Sequence, residues 1–240
     1  MGAMADVRTE AVALPTVPQL AAMLDHAVLK PTATERDVVE ACTIARRERI
    51  AAVVVKPFYV PVTARLLQGT GVATSTVIGF PHGGQSPEVK IATATSALRD
   101  GANELDMVIN IGALIDRDYK TIEREIASIV GLAHGQEAIV KVILETAYLD
   151  DTQKAVAAEI AVACEADFVK TSTGFAPEGA TVEDVRLLRD VVGDRAGVKA
   201  SGGIRTLDDA LELIAAGASR LGTSSTAAIL DELRRRRGET

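Results

Sequence analysis

Between Leu24 and Arg236 the chain repeats one pattern eight times: a short β-rich run, then a longer segment whose apolar residues recur at helical spacing. Parallel strands need a crossover connection, usually a helix, so this alternation points to βα units around a parallel sheet. The strand runs are 24–29, 51–56, 73–79, 104–109, 139–145, 167–171, 197–200 and 220–222. Helical periods fill the gaps near 35–48, 60–68, 87–100, 118–134, 152–165, 182–191, 207–216 and 226–236. Caps mark helix starts at Thr34 with Asp37, Ser86 before Pro87, Thr181 with Asp184, and Thr206 with Asp209.

Alternation alone fits an open doubly wound sheet as well as a closed barrel. Side-chain parity separates them. In Glu104-Leu-Asp-Met-Val-Ile109 the apolar Leu105, Met107 and Ile109 share one face and Glu104 and Asp106 the other. A strand sandwiched between helix layers would be apolar on both faces, whereas a barrel can carry paired charges on its inner face near the catalytic end. Eight units with inner-face charges predict an α/β fold, a single-domain TIM (β/α)8 barrel over 19–240, with residues 1–18 as an N-terminal extension. Met1-Gly-Ala-Met4 reads as an added leader.

A chain of 240 residues that is 48% hydrophobic buries a full core without disulfides, and Cys42 and Cys164 both fall inside helical periods. No apolar run reaches 18 residues and no signal-like start is present, so a cytoplasmic protein with no membrane partner is expected. The net charge of −7 argues against a nucleic-acid partner but allows a local cationic pocket for an anionic substrate. Arg234 to Arg237 read as a solvated last turn complementing the helix dipole. A homodimer is compatible with the sequence, and nothing in it decides the assembly.

The inner-face ionisable residues are Asp25, Asp106, Lys141, Glu145, Lys170 and Lys199. Each alone would cost several kcal/mol to bury, so they must pair across the barrel. Lys141 and Glu145, four apart on one strand, read at least as well as a structural ion pair as a functional one. Lys170 and Lys199 lie on consecutive strands near their carboxyl ends. Two ammonium groups roughly 6 Å apart repel by about 2.8 kcal/mol at an effective dielectric near 20, about two pKa units. One amine is thereby pushed toward the neutral, nucleophilic form that makes imines with aldehydes, and Asp106 is placed to move protons.

Gly202-Gly203 after the seventh strand and Gly222-Thr-Ser-Ser225 after the eighth stand where barrels commonly bind phosphate. Either loop alone reads as a tight turn, and their joint occurrence favours an anion site. His26, His82 and His134 lack metal-ligand spacing, and His134 reads as a helix-end group. Ser201, Ser224 and Ser225 lack a His/Asp arrangement for nucleophilic catalysis. A lysine-based site with neither metal nor cofactor is therefore expected.

In order along the chain, Leu24-Asp-His-Ala-Val-Leu-Lys-Pro31, Val77-Ile-Gly-Phe-Pro-His-Gly83, Glu104-Leu-Asp-Met-Val-Ile-Asn-Ile-Gly112, Lys141-Val-Ile-Leu-Glu-Thr146, Phe168-Val-Lys-Thr-Ser-Thr-Gly-Phe175, Val198-Lys-Ala-Ser-Gly-Gly-Ile-Arg205 and Arg220-Leu-Gly-Thr-Ser-Ser225 resemble the deoxyribose-phosphate aldolase family. The resemblance implies a class I, metal-independent aldolase that reversibly cleaves 2-deoxy-D-ribose 5-phosphate to acetaldehyde and D-glyceraldehyde 3-phosphate, in deoxyribose phosphate catabolism. By motif, Lys170 is the imine lysine and Asp106 with Lys199 the proton-handling pair. Gly174, Gly202, Gly203, Ser224 and Ser225 surround the phosphate, Asp25 orients the substrate hydroxyls, and Lys141 joins the substrate pocket. Two positions depart from the family pattern: Val54 stands where a cysteine is frequent, and Ala27 follows Asp25-His26 where a threonine is usual. The rival readings are another imine-forming barrel or a silent phosphosugar-binding protein.

Overall fold

The computed structural model describes residues 14–239. Positions 1–13 of the expected extension, including the Met1–Met4 leader, lie outside the described residues. Eight strands, β1 (Leu24–Val28), β2 (Ala52–Val55), β3 (Ala73–Ile78), β4 (Glu104–Val108), β5 (Ile139–Ile143), β6 (Phe168–Lys170), β7 (Gly197–Ser201) and β8 (Arg220–Thr223), pair in parallel in chain order, and β8 returns to β1. The barrel closes. The helices are α1 (Val17–Ala21), α2 (Glu35–Glu48), α3 (Val60–Leu67), α4 (Pro87–Arg99), α5 (Ile111–Ile115), α6 (Tyr119–His134), α7 (Asp151–Ala163), α8 (Val182–Val192), α9 (Leu207–Ala215) and α10 (Thr226–Arg237).

Two helices go beyond the eight expected. At α1, Thr16 and Gln19 form a capping box around Val17-Pro18, whose five-residue turn is too short to show a helical period. At α5, Asn110 caps Ala113 N at the exit of β4. Two further single turns of 3₁₀ helix, Pro57–Tyr59 and Thr146–Tyr148, follow β2 and β5. The latter shortens β5, which ends at Ile143 rather than at residue 145.

The core has two layers, set by strand parity. Outward residues such as Leu105, Met107, Val140, Val142, Val169 and Val198 pack against the helices and are fully buried. Inward strand residues include the buried charges Asp25, Glu104, Asp106, Lys141, Lys170 and Lys199. Of the expected caps, Thr34, Thr181 and Thr206 receive the N–H three residues on. Ser86 makes no side-chain cap bond at α4, where Pro87 has already removed one orphan N–H. His134 ends α6 but bonds Asp167 at 3.1 Å, tying that helix to the entrance of β6 instead of capping its own carbonyls. Arg234 to Arg237 are paired rather than free, with Glu48, Asp231, Glu232, Asp208 and Glu239 as partners. No helix among the described residues is long and apolar enough to cross a membrane.

Candidate active site

The register decides which inner side chains meet. Asp106 faces Lys141 across β4 and β5, Lys170 faces Lys199 across β6 and β7, and Lys199 faces Arg220 across β7 and β8. Asp106 accepts from Lys170 at 2.7 Å, Lys199 at 2.7 Å, Lys141 at 2.9 Å and Ser75 at 3.3 Å. Lys199 also donates to Asp25 at 2.5 Å, and Lys141 approaches the same carboxylate at 3.5 Å. The structure thus brings five of the expected residues, Asp25, Asp106, Lys141, Lys170 and Lys199, into one network, all at most 3% exposed.

The expected pair of Lys141 with Glu145 does not form. Lys141 bonds Glu104 on the neighbouring strand, while Glu145 turns away and accepts from Thr173 N at 3.1 Å and from its hydroxyl. The reason is backbone: Glu145 sits beyond the end of β5 with φ 57°, so strand parity no longer governs where its side chain points.

Arg220 and Glu104 complete the floor of the cluster. Arg220 Nη1 donates to Asp25 at 2.7 Å, lies 3.5 Å from Glu104, and rests over the Phe168 ring at 5.3 Å. Both have the inward parity of residues already singled out, which is the signal that could have found them. With them counted, three carboxylates (Asp25, Glu104, Asp106) face four cations (Lys141, Lys170, Lys199, Arg220). Within salt-bridge distance one cation is surplus, and the buried Glu145 carboxylate, farther off, also attracts Lys170.

Protonation follows burial first and the charges of the cluster second. Burial pushes the Lys170 amine down to about 8, with Lys199 and Lys141 adding to the fall and Asp106 opposing it. Burial, rather than repulsion from Lys199, is thus the largest cause. Burial also lowers the proton affinity of Lys141, but Asp106, Asp25 and Glu104 outweigh it and hold that ammonium well above its ordinary range. Burial raises Asp106, yet Lys141, Lys170 and Lys199 overcome it and keep the carboxylate well below its usual range. Of Lys141 and Lys170, it is therefore Lys170 that can release its proton near neutral pH. At a pKa of about 8, roughly a tenth of it is neutral at pH 7, against about 0.04% for an ordinary lysine.

Above this cluster the carboxyl ends of β6, β7 and β8 converge. Gly174, Gly202 and Gly203 all have positive φ, at 85°, 86° and 82°. A Cβ on Gly179 would stand 2.2 Å from the Gly202 carbonyl oxygen, so the loops after β6 and β7 can touch only through glycine. Ser201 Oγ donates to Ser172 O at 2.5 Å and Thr223 Oγ1 to Ile204 O at 2.7 Å, locking the three loops side by side. Among the described residues the N–H groups of Gly174, Gly202, Gly203 and Ser224 meet no protein acceptor, and Ser225 heads α10 without a side-chain cap bond. Free donors at adjacent loops and a helix N-terminus form a ready anion site. Phe80 and Phe175 stack edge to face at 5.3 Å beside it. Among the described residues Thr146 Oγ1 is the one buried side-chain polar atom without a partner, and no group of three or more His, Cys, Asp or Glu could hold a metal ion.

A closed (β/α)8 barrel with its charged cluster beneath the loops at the carboxyl ends of the strands has the architecture of the barrel enzymes. The sequence pattern of the DeoC/LacD family aldolases matches residues 19–229, and this chain belongs to that family. It is 51% identical to deoxyribose-phosphate aldolase of Thermococcus kodakarensis over 89% of this chain and 96% of that protein. It is 50% identical to the same enzyme of Caldicellulosiruptor saccharolyticus over 90% and 99%. Among solved structures, an aldolase designated QR15 superposes with a TM-score of 0.86 at 40% identity, covering 91% of this chain and 97% of its own. The deoxyribose phosphate aldolase of Aeropyrum pernix, described as tetrameric, does so with 0.85 at 36% identity, covering 91% and 92%.

Proposed function

We propose that this chain is a deoxyribose-phosphate aldolase in which Lys170 forms the substrate imine. The observation that carries the reading is the buried Lys170–Asp106–Lys199 triad, with the Lys170 amine lowered to about 8 beneath the free loop donors. The relatives' names support 2-deoxy-D-ribose 5-phosphate as the substrate.

Neutral Lys170 adds to C1 of the open-chain sugar, and loss of water from the carbinolamine leaves a protonated imine. The C3 hydroxyl then gives up its proton, the C2–C3 bond breaks, and its electron pair flows into the imine to form an enamine. D-Glyceraldehyde 3-phosphate departs. Protonation of the enamine carbon and hydrolysis release acetaldehyde and restore the amine. Asp106 is a weak base while three ammonium groups face it, and it gains basicity when Lys170 is neutral. Proton movement therefore runs through the Asp106–Lys199 pair, with Asp25 holding Lys199 from the other side. Gly174, Gly202, Gly203, Ser224 and Ser225 take the phosphate. Lys141, bonded to Glu104 and Asp106 below the triad, acts on the substrate by fixing Asp106.

Ala27 and Val54 pair directly in the β1–β2 register, so the two departures from the family pattern fall together at one wall of the barrel, Val54 buried and Ala27 half-buried. We assign them to substrate contacts rather than to imine chemistry. The free thiols, Cys42 buried and Cys164 half-buried, fit a reducing compartment such as the cytoplasm. The test is cleavage of 2-deoxy-D-ribose 5-phosphate coupled to aldehyde reduction, with and without chelator, alongside borohydride reduction in acetaldehyde. Turnover unaffected by chelator and an ethyl group on Lys170 are expected. A fully active Lys170→Leu protein would sink the assignment.

A further inference from the structure

Among the described residues, five other than glycine adopt positive φ: Arg49, Arg117, Glu137, Glu145 and Glu165. Four of them are exposed and close the ends of helices, where the left-handed conformation is a common stop. Glu145 differs on both counts, being 2% exposed and standing at the carboxyl end of a barrel strand. A buried glutamate in that conformation carries backbone strain and a desolvated carboxyl group, both of which the surrounding contacts must offset.

Those contacts lead to one loop. The Glu145 carboxylate accepts from Thr173 N at 3.1 and 3.3 Å and from Thr173 Oγ1, and Thr173 Oγ1 in turn accepts from Phe175 N at 3.0 Å. The N–H groups on either side of Gly174 are thus consumed inside the protein. The Gly174 N–H between them meets no acceptor among the described residues, and Gly174 lies against Gly202, whose own N–H is likewise unpaired.

We propose that Glu145 is a positioning residue that shapes the loop after β6 so that the Gly174 N–H joins those of Gly202 and Gly203 around the substrate's phosphate. This rests on the aldolase reading only in taking the anion to be the sugar's phosphate. A carboxylate suits the task because it only accepts. It forces the Thr173 hydroxyl to donate to it, which leaves the hydroxyl's lone pairs for Phe175 N–H. A glutamine amide would offer a donor toward the same oxygen and compete with Phe175 N–H, releasing the turn around Gly174.

Glu145→Gln and Thr173→Val break this relay at its two ends, and Thr173→Ser keeps it. The readouts are KM for 2-deoxy-D-ribose 5-phosphate, kcat/KM for unphosphorylated 2-deoxyribose, and the dissociation constant of inorganic phosphate by calorimetry. Both breaking variants are expected to lose about tenfold more on the phosphorylated sugar than on the unphosphorylated one, and about tenfold in phosphate affinity. Thr173→Ser is expected to stay within twofold of the parent. Equal losses on both sugars would show a general structural role and overturn the proposal, as would unchanged phosphate affinity. If Glu145→Gln fails to fold, Thr173→Val, which keeps the buried carboxylate and the loop's volume, decides the matter. A parent that binds phosphate with this dependence but does not cleave the phosphorylated sugar would sink the aldolase reading and leave this one standing. An active parent whose variants show no split would do the reverse.

Discussion

Strand β4 has buried charges against both of its faces, and the two sets behave differently. Outside the barrel, Lys90 of α4 donates to Glu125 of α6 at 2.6 Å and to Val108 O at 2.7 Å, while Glu125 accepts from Asn110 N at 2.7 Å. One cation meets one anion, and the remaining hydrogen bonds go to the strand's end. Inside, Asp106 sits among Lys141, Lys170 and Lys199, in a network with one cation to spare. Burial is the largest cause pushing both Lys90 and Lys170 down, so the direction of the shift does not tell them apart. Stoichiometry and access do. Lys90 has 0% of its side chain exposed and a private partner, while Lys170 has 4%, a shared partner and the open loops above it. A balanced buried pair holds structure, and an unbalanced cluster leaves a proton free to move.

The sharpest way to break the comparison is to remove each lysine. Lys170→Leu is expected to lower cleavage by at least about 10⁴-fold and abolish borohydride trapping, since in the proposed mechanism the covalent step has no substitute. Its unfolding midpoint in denaturant should match or exceed the parent's, because the surplus buried charge is gone. Lys90→Met should do the opposite. Leaving Glu125 buried and unpaired is expected to cost about 3–5 kcal/mol in unfolding, with kcat per folded molecule changed less than about tenfold. Adding Glu125→Leu should recover much of that stability. A Lys90→Met protein as stable as the parent would mean the outer pair contributes nothing.

The imbalance itself can be tested through Arg220. Replacing it with Met leaves three carboxylates facing three lysines, so Lys170 becomes a required counter-ion and holds its proton to higher pH. The parent's trapping rate is expected to rise about tenfold per pH unit below 8 and level off above it, following the neutral amine. In Arg220→Met that midpoint should move up by about one unit, making trapping about tenfold slower at pH 7. An unmoved midpoint would show that burial alone sets the amine, with the floor of the cluster irrelevant.

Much of this was legible in the sequence because strand parity is a strict rule: it put Asp25, Asp106, Lys141, Lys170 and Lys199 on one inner surface, where they are found. Parity names a face and not a partner. Lys141 could not be assigned to Glu104 rather than Glu145 without the register of β4 against β5 and the left-handed turn that takes Glu145 out of the strand. The Lys90–Glu125 pair was invisible for a related reason. Two charged residues in separate helical periods read as solvated, and only packing α4 against α6 over the end of β4 turns them inward. The glycine loops were readable as turns, but the free Gly174 donor depends on a relay whose parts lie 28 residues apart.

The smallest expected effect separates the two lysines by thermodynamics alone. The folded Lys170 pKa of about 8 lies below the ordinary lysine value of about 10.4, so between these limits the unfolded chain binds more protons than the folded one. Stability must then rise with pH across that window, because the penalty of burying a charged amine is present in full below 8 and relieved as the folded protein sheds the proton. Between pH 7 and 9 the gain attributable to Lys170 is about 1 kcal/mol. Chemical denaturation of the parent and of Lys170→Leu at both pH values isolates it, since other titrating groups are common to the two proteins and cancel in the difference. A parent that gains no more than Lys170→Leu would mean that Lys170 stays protonated in the folded protein to pH 9, and the amine would then need the substrate itself to displace its proton.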